Sequence, residues 1–128
     1  ALEFASNKKL NNLIICIDSN KKQVDGLIKD VSCDYDYQKL FEGLDLTVHM
    51  ILGNDVEEID DTLSEILAAD DGNCHVLVLN TIKGKGISYF EDAENCHHVT
   101  FNETELKELT KYRMENEGAV KHVLGITE

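Results

Sequence analysis

The sequence predicts an α/β domain built on a parallel sheet with flanking helices. Three observations point there. Residues 13–18 and 75–81 are strand-length runs that are apolar almost without interruption, as strands covered on both faces require. Between them lies a segment with apolar residues at helical spacing. Each run also gives way to a polar, glycine-bearing loop, the usual exit from a strand into a binding loop at the carboxyl edge of an open sheet.

The elements follow in order. Residues 1–9 read as the end of a helix, with apolar Leu2, Phe4 and Ala5 and with Lys8 and Lys9 where cations suit the carboxyl-terminal dipole. Residues 13–18 form the first strand. Tyr37, Leu40, Phe41 and Leu44 recur at helical spacing within 35–44, and residues 47–52 are the second strand. Asn54 is expected to cap a helix over 55–69 whose apolar face is Val56, Ile59, Leu63, Ile66 and Leu67. Residues 75–81 are the third strand, and a loop runs to Thr100. Asn102, with Glu105 three residues on, makes a capping arrangement for a last helix from 103 to about 113. The alternation of strand and helix implies right-handed crossovers and a parallel sheet. Three strands are few for a doubly wound sheet, so neighbouring strands are expected from outside these residues.

Composition narrows the function classes. The 128 residues fit one domain. With 25 acidic against 12 basic residues the formal charge is −13, which argues against nucleic acid and anionic membrane surfaces as partners. The apolar runs are too short to span a bilayer, and no stretch has the layout of a signal peptide. Cys16, Cys33, Cys74 and Cys96 form no Cys-x-x-Cys pair, and an intracellular chain would keep them reduced. Cys16 and Cys74 read as small buried strand residues.

Two loops carry the chemistry. Residues 13–26, LIICIDSNKKQVDG, place Asn20 just past the end of a strand, where its side chain can face a cation or a phosphate. The same Asp18-Ser19-Asn20 is also an ordinary polar turn. Past the third strand, Lys83-Gly84-Lys85-Gly86 lacks Walker spacing, although its glycines let backbone amides approach an anion and Lys83 adds charge. Taken alone it is equally a surface turn with two solvated lysines. Cys96-His97-His98 follows. Adjacent residues converge poorly on one tetrahedral zinc, so a metal site there is disfavoured. His49, His75 and His122 read as ordinary strand or helix residues.

Together these segments resemble the thiamine diphosphate (pyrophosphate-binding) domain of transketolases, over nearly the whole chain. The resemblance implies a thiamine diphosphate-binding fold, with residues 1–128 as the carboxyl-terminal portion of that domain. It starts just past the family's Gly-Asp-Gly motif, whose Asp is the first metal ligand; Ala1 would then fall in the helix after it. It further implies that Asn20 and the carbonyl of Lys22 bind magnesium, with calcium the other hard cation suited to the same oxygens. Gln23 and Lys83 would lie near the cofactor, and Lys83 would face its diphosphate or its aminothiazolium edge. His97, or His98 if the register shifts by one, would exchange a proton with a sugar hydroxyl. Departures from the family are Cys96 in place of its Trp and a residue other than Gly after the histidine. The implied reaction is transfer of a two-carbon ketol unit between sugar phosphates. The partners implied are the remaining transketolase domains or a second subunit, in a homo-oligomer of the cytoplasm. A deoxyxylulose phosphate synthase fits the two loops less closely. The rival reading of another class is a folded, self-associating remnant that binds no cofactor.

Overall fold

The computed structural model describes residues 1–93 and 96–123, with side chains described through residue 117 of the last helix. His122 therefore lies outside the described side chains. Helix α1 (Leu2–Asn7) leads into β1 (Ile14–Asp18), and a short antiparallel hairpin of β2 (Lys22–Gln23) and β3 (Gly26–Leu27) follows. Helices α2 (Ile28–Val31) and α3 (Tyr37–Glu42) precede β4 (Thr47–Leu52); α4 (Val56–Ala68) connects it to β5 (His75–Asn80). Helix α5 (Ser88–Glu91) interrupts the long loop ahead of α6 (Glu103–Val123).

The sheet is parallel, in the order β1-β5-β4, so the last strand in sequence is the central one. Its position explains its composition. Val76 and Val78 point to one face, where they join Ala5 of α1 and Phe41 of α3; Leu77 points to the other, against Ile66 of α4 and Ile51 of β4. All three are at most 1% exposed, and each such side chain contributes about 1.5–3 kcal/mol of burial. An alternating pattern would have placed a polar group in one of these two layers.

The flanking strands are less enclosed. Ile15 and Ile17 of β1 pack against the α1 and α3 side, but Cys16 is exposed, contrary to the sequence expectation. Helix α4 packs against β4, and on its side of β1 Ile14 joins the Leu77 layer while Cys16 stays exposed. Cys74 is buried as expected, and its thiol donates to Leu13 O. On β4, Met50 and Leu52 are exposed beyond the end of α3.

Two helix starts show how capping is allotted. Asn102 Oδ1 accepts from the amides of Thr104 and Glu105, while Glu105 Oε2 accepts from Asn102 N, a reciprocal capping box. Helix α4 is capped by Asp55, whose carboxylate accepts from Glu57 N and Glu58 N, and not by Asn54. Of its expected apolar face, Ile66 is buried and Ile59 and Leu63 are half-buried, whereas Val56 and Leu67 are each 77% exposed.

At the amino-terminal end of the sheet His49 and His75 meet. Their rings stack at 5.3 Å, His49 Nε2 lies 3.0 Å from His75 Nδ1, and His75 Nε2 lies 3.3 Å from Asp71 Oδ1. Burial, and secondarily the neighbouring His75, holds the His49 pKa below its usual 6.5, against the opposite pull of Glu65 and Asp71. The neutral ring is thus favoured in the folded state, so the unfolded chain takes up the proton first as pH falls. Stability should hold above pH 6.5 and decline below it, and His49→Gln should flatten that slope. Urea midpoints between pH 7 and 5 read the effect; midpoints that rise on acidification would contradict it.

Candidate functional site

The site is assembled at the carboxyl ends of β1 and β5, which are hydrogen-bonded neighbours. At the end of β1 the Asn20 side chain is held from both sides. Its Oδ1 accepts from Lys22 N at 2.9 Å, and its Nδ2 donates to Asp18 Oδ2 at 3.0 Å. This closes a tight turn through Lys21, which adopts φ +60, and presents the amide oxygen with a lone pair still available. The adjacent Ser19 is 3% exposed, and its Oγ has no hydrogen-bond partner among the described residues. A buried hydroxyl without a partner is costly, and this one lies beside the amide that faces the strand ends.

Both neighbours of β5 pin its exit. The Thr81 hydroxyl donates to Asp18 Oδ1, and Ile82 N donates to Asn54 Oδ1 at 2.7 Å. Asn54 is therefore occupied by the loop that carries Lys83, which is why Asp55 is left to cap α4. Gly53 makes this approach feasible: a Cβ there would stand 2.5 Å from Thr81 Cγ2 and 2.7 Å from Leu79 Cβ. The sequence flagged Asn54 only as a cap; its role at this loop depends on a contact 28 residues away.

The Lys83-Gly84-Lys85-Gly86 segment is wound on itself. Lys85 N donates to Ile82 O, Ile87 N donates to Gly84 O, and Gly86 N donates to Glu91 Oε1 at 2.8 Å. That amide bond first, and then the Lys85 ammonium at 3.5 Å, holds the Glu91 carboxyl below its usual range. Gly84 has φ +80, and a Cβ on it would lie 2.5 Å from Phe90 Cβ, so the position takes no other residue without strain. Phe90 in turn packs edge-on against Phe101.

A cavity of about 320 Å³ opens between these pieces. Lys83, Gly84, Cys96 and His97 line it, with Phe90 and Phe101 as aromatic walls. Lys83 is half-buried, and its ammonium has no protein partner among the described residues. His97 shares this wall with Lys83, while the adjacent His98 is exposed and is not part of the lining. Lys22 and Gln23 lie in β2, and Gln23 pairs with Gly26 in the hairpin beside the Asn20 turn. Among the described residues no three His, Cys, Asp or Glu side chains converge as a metal site. The hard oxygens at the turn are the Asn20 amide, the Asp18 carboxylate bonded to it and the backbone carbonyls, a partial set compatible with magnesium completed by phosphate and water.

The carboxyl ends of β1 and β5 thus carry an asparagine turn and, past β5, a loop whose Lys83 lines a cavity together with His97, at the edge where open α/β sheets bind ligands. The chain belongs to the transketolase family: residues 1–121 match the family model described as transketolase, thiamine diphosphate binding domain. It is 42% identical over 94 residues to one of the subunits of the apulose-4-phosphate transketolase of Actinobacillus succinogenes, covering 73% of this chain and 33% of that one. It is 30% identical over 119 residues to the 6-deoxy-6-sulfo-D-fructose transketolase subunit SqwG of a Clostridium species, covering 93% of this chain and 42% of the relative. The chain thus spans from a third to just over two fifths of these relatives. Among solved structures, a Pichia stipitis transketolase shares the fold with a TM-score of 0.71 over 87% of this chain and 16% of that one, at 21% identity. The Leishmania mexicana transketolase aligns with a TM-score of 0.63 at 25% identity, over 70% of this chain and 13% of that one. Among the described residues no helix is long and apolar enough to cross a membrane.

Proposed function

We propose that this domain forms the diphosphate-binding half of a transketolase that moves a two-carbon ketol unit between sugar phosphates. The observation that supports this most is the shared cavity: Lys83 and His97 line one wall at the end of β5, next to the strand end that carries Asn20. Thiamine diphosphate supplies the carbanion chemistry when bound. The chain's own residues divide the remaining tasks. Asn20 Oδ1 and the Lys22 carbonyl hold magnesium, with calcium an acceptable substitute. Lys83 sets a positive charge toward the diphosphate side, and Gln23 lies near the cofactor. His97 donates a proton to, or accepts one from, the sugar hydroxyl.

Several parts of this reading lie outside the chain. The first acidic metal ligand comes from the preceding portion of this same domain, and the protein groups that hold the pyrimidine come from the remaining transketolase domains or from a second subunit, in a homo-oligomer of the cytoplasm. The four unpaired cysteines are compatible with that compartment. It follows that the domain alone should bind magnesium thiamine diphosphate more weakly than about 10 µM, a free energy smaller than about 7 kcal/mol, and should transfer no ketol unit. Adding the complementary chain should restore both. Calorimetric titration paired with a ketol-transfer assay tests the proposal; an assembled enzyme that binds the cofactor yet transfers nothing would refute it.

A further inference from the structure

The Lys22 side chain links the two halves of the site. Its Nζ donates to Glu91 O at 3.1 Å and to Ala93 O at 2.6 Å, carbonyls 69 and 71 residues further along the chain. Both bonds are partly buried, and an ammonium removed from water is tolerated only when such acceptors replace it. The same residue's backbone amide donates to Asn20 Oδ1. One residue therefore orients the strand-end amide through its backbone and anchors residues 91–93 through its side chain. Glu91 is itself bonded to Gly86 N, and Phe90 rests on Gly84, so the anchored segment also bears on the Lys83 loop. Ala93 stands four residues before His97, within about 14 Å of chain at full extension.

We infer that Lys22 is a positioning residue: its ammonium fixes residues 91–93, a few residues before His97, against the Asn20 turn, so that the cofactor side and the substrate side of the cavity are held in register. This rests on the proposed function for the role of His97, but the tie itself does not. Lys22→Met removes the ammonium and with it the bonds to Glu91 O and Ala93 O, so the His97 side should loosen. In the assembled enzyme kcat should fall about tenfold, since a small displacement of an acting group is costly in rate. Lys22→Arg, which can also donate to two carbonyls, should recover most of that loss.

Two measurements decide the matter. Amide hydrogen exchange of residues 96–101 should quicken in Lys22→Met and return toward the parental rate in Lys22→Arg; unchanged exchange would overturn the inference. In a His97→Ala background the Lys22→Met change should have little further effect on kcat, because both act through one group. Full additivity, or quickened exchange with unaltered kcat, would overturn the positioning role. Failure of the proposed function is read separately, from His97→Ala alone retaining parental turnover.

Discussion

His97→Ala is expected to lower turnover of the assembled enzyme about a hundredfold or more, with little change in melting temperature, whereas His98→Ala should leave turnover within a few-fold of parental. The two residues are adjacent and chemically identical, so the difference rests on placement. His97 lines the cavity with Lys83, and His98 is exposed outside it. A side chain that assists proton transfer contributes typically 10²–10⁴ in rate. His97 is itself exposed on the cavity wall, so truncation leaves no core void and costs little stability. Steady-state kinetics beside thermal melts separate the two effects. A loss confined to His98→Ala would move the substrate-side role one residue along the chain, and equal losses in both variants would contradict the distinction drawn from placement.

Asn20→Ala is expected to act on cofactor retention. Its amide oxygen is the expected metal ligand at this strand end, and its side chain also closes the turn by accepting from Lys22 N and donating to Asp18. Removing it deletes an expected metal ligand and frees the turn that orients the Lys22 carbonyl. Losing even an outer-shell partner of a metal commonly costs 10–100-fold in affinity, so a direct ligand should cost at least about that much. Excess magnesium thiamine diphosphate should recover much of the turnover, a rescue that His97→Ala should not show. Activity measured across a cofactor titration checks this; a turnover loss that saturating cofactor leaves unchanged would remove Asn20 from the metal site.

The sheet was legible because periodicity and burial agree in it. β5 is apolar from Val76 to Leu79 because both its faces are covered, and β4 falls on the residues its pattern predicts. The hairpin and the four-residue helices α2 and α5 were not legible, since elements that short carry no periodic signal. Asn54 and Asp55 are both good capping residues, and only the fold shows that the loop after β5 claims the first. Cys16 was misjudged because an apolar strand does not reveal which of its faces lacks a helix. The His49–His75 contact and the Lys22 tie join residues 26 to 71 positions apart, beyond any local pattern. The two candidate loops were visible as strand-end motifs; what the sequence left open was that His97, and not His98, lines the cavity with Lys83.

The position of the metal in the assembled enzyme is the most direct test of the central claim that the carboxyl ends of β1 and β5 carry the cofactor's diphosphate. A crystal structure with magnesium and thiamine diphosphate should show the ion about 2.0–2.1 Å from Asn20 Oδ1 and from the Lys22 carbonyl, with Lys83 on the same side of the cavity. A metal and diphosphate bound elsewhere on the domain, with Asn20 still engaged only by Lys22 N and Asp18, would contradict it.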